Sequence, residues 1–280
     1  MSGRPWKLWW TQILAILRLE VRKSFLGKRA IVIYLLAASQ VILFGVHAVA
    51  VARGWDHCRG TEDFGVFAAE FQLYYLRLAV FFGCVAIFMN LFRGEVLEKT
   101  LHHYLLAPVR REVLVAGKFL SGLATAVLLF GAGAVLSFLI VASHVASLRH
   151  QEFLAAPLPG HLAAYLGVTV LACLGYGAVF LMMGLLFRNP IIPAVAVLIW
   201  ESITVFLPPL LKQISVIYYL ESLCPVRAPF SGSGGSALFA ISGEPVSAWL
   251  AVPGLIALAA AVILLSALRI RKLEVNYGAE

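Results

Sequence analysis

Long apolar stretches separated by short polar connections dominate the 280-residue chain. Six of them approach the ~20 residues that a helix needs to cross ~30 Å of hydrocarbon. They cover residues 30–52, 73–92, 119–143, 162–187, 191–211 and 249–268. The pattern predicts an all-α polytopic membrane protein with six transmembrane helices, forming a single membrane domain over residues 1–280.

The first 29 residues combine an apolar stripe at helical spacing with basic residues. The stripe consists of Trp6, Trp9, Trp10, Ile13, Leu14 and Leu17. Arg18, Arg22 and Lys23 cluster at its far end, which is typical of an amphipathic helix lying in a membrane interface. The alternative is that residues 1–29 are only the charged flank of the first span.

A charged island, residues 93–118, separates the second apolar stretch from the third. Leu101, Tyr104 and Leu105 recur at helical spacing, which predicts a short amphipathic helix over 95–107. Pro108 ends it, because proline lacks an amide donor and disfavours helix at the residue before it. Glu112 then begins a new helix, where an acid suits the N-terminus.

The island resembles the loop that follows the second membrane helix in ABC-2 type transporter permeases. The resemblance rests on acidic residues, Thr-Leu, a Leu-Leu pair, Pro, Arg and a downstream Lys, in that order. Here these are Glu95, Glu98, Thr100, Leu101, Leu105, Leu106, Pro108, Arg111 and Lys118. One departure is Lys99, where the family often has Gly. The alternative is an ordinary solvated cytoplasmic loop.

The resemblance implies a membrane subunit of an ABC exporter, with ATP and Mg bound by a separate ATPase subunit, expected in two copies. A second permease subunit, identical or homologous, is also expected. The island would be the coupling helix that docks into the ATPase. Its mixed charges around an apolar patch are typical of a protein interface. The expected coupling residues are Glu95, Glu98, Leu101, Tyr104, Leu105, Pro108, Arg110 and Arg111.

Composition and charge agree with a membrane location. Hydrophobic residues make up 61% of the chain and charged residues only 13%, against about 25% charged in soluble proteins. Sixteen Lys and Arg lie in the two termini and in the connections predicted to be on the same side of the membrane as the termini. Five lie in the connections predicted to be on the opposite side. The positive-inside rule therefore predicts that both termini are cytoplasmic, in the cell (inner) membrane, and that the +8 net charge reflects topology rather than nucleic-acid binding.

Two charged residues lie inside apolar stretches. Arg77 is either a snorkelling side chain or a partner for an acid, and Glu201 at mid-span is its candidate partner. An intramembrane carboxylate is costly and faces protein or water. Glu201 therefore either lines a translocation path or subunit interface, or makes a structural bond that fixes helix packing.

The outer segment 212–248 contains IYYLESLCPV, which predicts a short helix or re-entrant hairpin. In the resembling family, short outer helices precede the last span and help to shape the exit. Cys58 and Cys224 both fall on the outer side and form a candidate disulfide.

Two classes of function remain. The first is an ABC exporter subunit carrying a lipid, a drug-like molecule or a peptide; the chain has no Walker-type phosphate loop, so the ATPase is expected on a partner. The alternative is a polytopic membrane enzyme or a metal- or heme-handling protein that uses the outer histidines, His144, His150 and His161. No catalytic or metal site is assigned on this chain.

Overall fold

A computed structural model describes residues 5–27, 30–54, 60–97, 109–148, 158–187, 189, 191–226 and 246–271. These ranges are almost entirely helical and contain no β-strand. Five of their helices are long and apolar enough to cross a membrane. The protein is therefore an integral membrane protein built on one helical bundle.

The helices follow one another in simple order. An N-terminal helix, α1 (Pro5–Leu26), leads to α2 (Ala30–Ala52). A continuous helical rod follows, made of α3 (Gly60–Glu70), a π-helical stretch (Phe71–Val80), α4 (Phe81–Cys84), a second π-helical stretch (Val85–Met89) and α5 (Asn90–Leu97). Its apolar part, Phe64–Glu95, is here called span 2. The remaining helices are α6 (Arg111–Leu148), α7 (Leu158–Leu186), α8 (Ile191–Ile203), a 3₁₀ turn (Thr204–Phe206), α9 (Pro209–Lys212), α10 (Val216–Leu223) and α11 (Ala248–Arg271).

Five of the six predicted spans correspond to helices long enough to cross a membrane, and the remaining one, 191–211, is shorter than expected. The stretch predicted over 191–211 forms only α8, which ends at Ile203 and continues as the 3₁₀ turn. Leu207 then adopts an extended backbone. The physical reason is Pro208, which disfavours helix at the residue before it and is followed by a second proline, Pro209.

α6 lies at the centre of the bundle and packs against α1, α2, α7 and α11. Aromatic side chains fill part of the core: the Phe67 ring lies 5.0 Å from that of Tyr165 and 5.6 Å from that of Phe138. By contrast, α2 exposes Ile31, Val32, Leu35, Ile42 and Val46. Exposed aliphatic side chains on a spanning helix are suited to lipid rather than water.

Glycine permits the closest approach between α2 and α6. A Cβ atom at Gly133 would lie 2.6 Å from the carbonyl oxygen of Ala37. No larger residue fits there without moving a backbone, which is the usual role of small residues between membrane helices.

Candidate functional site

The predicted coupling helix lies largely outside the described residues. The structure gives no position for residues 98–108, which include Glu98, Thr100, Leu101, Tyr104, Leu105, Leu106 and Pro108. It does describe both places where this loop meets the membrane domain, at the end of α5 and the start of α6. These two attachments define the candidate site.

At the end of α5, Lys118 holds two carboxylates. Its Nζ lies 2.6 Å from Glu20 Oε1 and 2.6 Å from Glu95 Oε1. It also donates to the Leu91 carbonyl over 2.8 Å, so all three ammonium protons have acceptors. The three side chains are buried, and Lys118 is 0% exposed. This Lys118 network ties α1, α5 and α6 together.

Close packing brings these helices near enough for the network. A Cβ atom at Gly117 would lie 3.1 Å from the Ile16 side chain, so α1 rests directly on the start of α6. Buried charges are tolerated only when they are paired and hydrogen-bonded, because each loses its hydration. The network therefore fixes the position of Glu95, two residues before α5 ends at Leu97.

At the start of α6, Arg111 is attached to the end of α11. Its Nη1 donates to the carbonyls of Ile270 over 3.0 Å and Arg271 over 2.9 Å. Helix C-termini carry unsatisfied carbonyls and a partial negative charge, so a guanidinium group suits this place. Arg271 in turn contacts Glu112, with Nε 2.5 Å from Oε1.

Arg110 makes the second contact at this end. Its guanidinium carbon lies 4.9 Å from the centroid of the Trp9 ring of α1, which is cation–π geometry. The loop therefore leaves the bundle at a point fixed to α1 and α6, and returns at a point fixed to α1 and α11. Displacement of the loop would act on three helices at once.

Arg77, inside span 2, pairs with Glu221 of α10. This corrects the expectation that its partner is Glu201. Gln72, five residues earlier in span 2, donates to the carbonyl of Val226 over 2.7 Å. These two contacts show that α10 runs beside span 2 in the opposite direction, which hydropathy alone does not reveal.

Glu201 instead caps the N-terminus of α10. Its carboxylate accepts hydrogen bonds from Ser215 Oγ over 2.5 Å, from the Val216 amide over 3.0 Å and from the Ile217 amide over 3.1 Å. The side chain is buried, so it does not face lipid. Of the roles considered for Glu201, the structure supports a bond that fixes packing, here between α8 and α10. The short helix expected within IYYLESLCPV is α10 itself.

The candidate disulfide stays a prediction. Cys58 lies outside the described residues, and Cys224 is a half-buried free thiol that donates to the Leu220 carbonyl over 3.5 Å. Within the described ranges, no group of three His, Cys, Asp or Glu side chains is arranged to hold a metal ion.

Residues 16–205, about two thirds of the chain, match the model of a family described as ABC-2 family transporter protein. The chain belongs to this family. No curated protein sequence matches it. Membership makes the protein a transmembrane permease of an ABC transporter, a class of membrane subunit that associates with ABC ATPases.

Two acidic residues that form ion pairs in this ABC-2 permease, Glu20 and Glu221, were not predicted as site residues from the sequence. Glu20 is the single acid among the first 29 residues, seven of which are Lys or Arg, and that isolation was the available signal. Glu221 sits in an apolar decapeptide, where an acid needs a partner. The matched region includes Glu20, Glu95 and Lys118 but ends before Glu221.

Proposed function

We propose that this ABC-2 permease is the membrane subunit of an exporter driven by a separate ATPase that docks on the cytoplasmic loop between α5 and α6. Two ATPase subunits and a second permease subunit, identical or homologous, complete the transporter. ATP and Mg bind to the ATPases. The substrate is a lipid, a drug-like molecule or a peptide.

The observation that carries this proposal is the double attachment of the loop. A docking element that transmits force needs rigid connections to the helices that move. The Lys118 network supplies one connection and the Arg111 contacts with α11 supply the other. A loop that is only solvated does not require a buried lysine bound by two glutamates at its base, because burying these charges costs desolvation free energy.

The proposed topology has six crossings with both termini cytoplasmic. The fifth crossing is broken: α8 rises to Glu201, the chain turns at Pro208, and α10 continues outward from the same depth beside span 2. The capping of α10 by Glu201 and the antiparallel contacts with Gln72 and Arg77 support this path. α1 would lie along the cytoplasmic interface, where Trp6 and Trp10 are exposed.

The test is the double substitution Tyr104→Ala with Leu105→Ala in full-length permease co-expressed with its ATPase. The ATPase should be lost on purification, or its turnover should no longer respond to substrate, because the apolar anchors are gone. The matched control is His102→Ala with His103→Ala, which alters the same loop off the apolar stripe. A monodisperse Tyr104/Leu105 double variant with normal ATPase binding and normal coupling would refute the docking assignment.

A further inference from the structure

An open cleft of about 470 Å³ lies between the start of α6 and the end of α11. We call it the arginine cleft. It is lined by Val109, Arg110, Arg111, Glu112 and Arg271. Both helices are long and apolar enough to cross a membrane, and the cleft lies where α6 begins and α11 ends. It is therefore placed at the depth of lipid headgroups.

Two of the three arginines keep hydrogen-bond donors for a ligand. Arg110 lies over the face of the Trp9 ring, and none of its N–H groups has an acceptor among the described residues. Arg271 donates from Nε to Glu112, and its two Nη groups make no hydrogen bond within the described ranges. Its side chain is 60% exposed. Arg111 is already bound to the end of α11, so it is not counted as a donor to a ligand.

The charges of the cleft favour an anion. Three arginines line it with a single carboxylate, Glu112, which contacts Arg271 and attracts Arg110 at longer range. The adjoining sequence outside the described residues does not reverse this balance, because residues 98–108 carry one acid and one lysine and residues 272–274 also carry one of each. Guanidinium groups bind phosphate through paired N–H donors, so a phosphate is the anion that this cleft suits.

An exposed apolar stripe on α11 leads to the cleft. Leu264, Leu268 and Arg271 follow one another at intervals of four and three residues, so they lie on one face of the helix. Both leucines are exposed. Beside Arg110, Trp9 adds an indole ring, a group that concentrates at headgroup depth. An occupant of this surface meets cations at one end and aliphatic side chains along the rest.

We propose that the arginine cleft binds one anionic phospholipid of the leaflet that is cytoplasmic in the proposed topology. Arg110 and Arg271 hold the phosphate, and an acyl chain lies along Leu264 and Leu268. Basic pockets between membrane helices on the cytoplasmic side suit anionic headgroups. A headgroup that also carries an ammonium binds less well, because the arginines repel it. The site belongs to the permease alone, so its test does not depend on the docking of an ATPase.

The experiment measures lipid retention by the full-length permease without an ATPase. Protein purified in a mild detergent is mixed with equal amounts of phosphatidylglycerol and phosphatidylethanolamine, and native mass spectrometry counts the lipids that remain bound. One phosphatidylglycerol should be retained in preference. Equal retention of the two lipids would overturn the proposal and would favour an acidic protein segment as the occupant of the cleft.

Charge variants locate the headgroup. Arg110→Gln and Arg271→Gln should each reduce the preference for phosphatidylglycerol about tenfold, as expected for losing a hydrogen bond to a charged group. The matched control is Arg269→Gln, which removes the same charge from an exposed position on the same turn of α11 that does not line the cleft. If Arg269→Gln lowers the preference as much as Arg271→Gln, the attraction is diffuse and the assigned site is wrong.

A second set of measurements tests the acyl chain. Leu268→Asn should weaken retention of phosphatidylglycerol, whereas Leu250→Asn, at an equally exposed position near the other end of α11, should not. Equal retention by these two variants would overturn the acyl-chain contact. Excess soluble glycerol 3-phosphate should leave the lipid bound. Displacement by it would show that a phosphate alone fills the cleft, and the lipid assignment would fail.

Discussion

Lys118 donates each of its three ammonium protons to a different acceptor. Two acceptors are carboxylates, on α1 and α5, and the third is the carbonyl of Leu91. The centroid of the Phe92 ring lies 5.3 Å from Nζ, which is cation–π geometry. A point charge on a long stem suits this place, because three acceptors converge on one atom.

Lys118→Met should destabilise the permease by about 3–5 kcal/mol, because it leaves two carboxylates buried without a cation. Thermal unfolding followed by tryptophan fluorescence measures the effect. Adding Glu20→Gln and Glu95→Gln to the same chain removes both orphaned charges and should restore most of the stability. A triple variant no more stable than Lys118→Met would contradict the network.

Arg77 and Glu221 should behave as a pair in a double-mutant cycle. Arg77→Gln and Glu221→Gln each break a contact, so the double variant should cost less than the two single costs added, by about 0.5–3 kcal/mol. The comparison cycle uses Arg77→Gln with Glu201→Gln and should show a smaller coupling. Equal coupling in the two cycles would mean that Arg77 is shared between both acids.

At the scale of elements, the stability of α10 comes from its contacts with neighbouring segments, because the helix is short. It has eight residues, and isolated helices shorter than ~12–15 residues are marginal in water. Ser215 and Glu201 satisfy amides in its first turn. A Cβ atom at Gly175 of α7 would lie 2.8 Å from Val216, so the helix is also held closely from the side. α10 is thus a short helix fixed at its start, its flank and, through Glu221, its end.

The approach of α2 to α6 gives a test at the same scale. Gly133→Ala should destabilise the bundle by about 1–3 kcal/mol, because its Cβ would overlap the Ala37 carbonyl. Gly167→Ala on α7 meets nothing within 4 Å and should be neutral or slightly stabilising. Thermal unfolding of the two variants compares them directly. Equal destabilisation of both would mean that helix propensity, rather than the α2–α6 contact, controls the result.

The length of each apolar stretch predicted most spans correctly, because the thickness of the hydrocarbon layer determines how long a spanning helix must be. The first prediction, 30–52, coincides with α2, whereas 73–92 underestimates span 2, which begins at Phe64. The predicted 191–211 span failed as a single helix because composition alone registers the apolar residues on both sides of Pro208 as continuous. The partner of Arg77 lies 144 residues away, and depth along a helix could not distinguish Glu221 from Glu201.

For the whole molecule, the charges point to one orientation. The connections predicted to be cytoplasmic carry sixteen Lys and Arg against five on the other side. The described charged contacts of the loop ends, Lys118 and Arg111, occur on the same side of the bundle as α1 and the end of α11. Such clustering agrees with a cytoplasmic face that receives a partner.

Cysteine labelling tests this orientation in a background of Cys58→Ser and Cys224→Ser. Thr61→Cys should react with an impermeant maleimide added to intact cells, since the start of α3 lies at the end of the rod that the charge pattern predicts to face outside. Ser2→Cys and Glu280→Cys should react only after permeabilisation. Labelling of either terminal position from outside would reverse the topology.

The hydrogen bonds from Arg111 to Ile270 and Arg271 also place the last described turn of α11 beside the returning end of the loop. A fluorescent dye attached to an exposed position of this turn therefore sits within reach of anything that docks there. Its quenching reports the arrival of an ATPase in real time, while every residue of the loop keeps its native side chain.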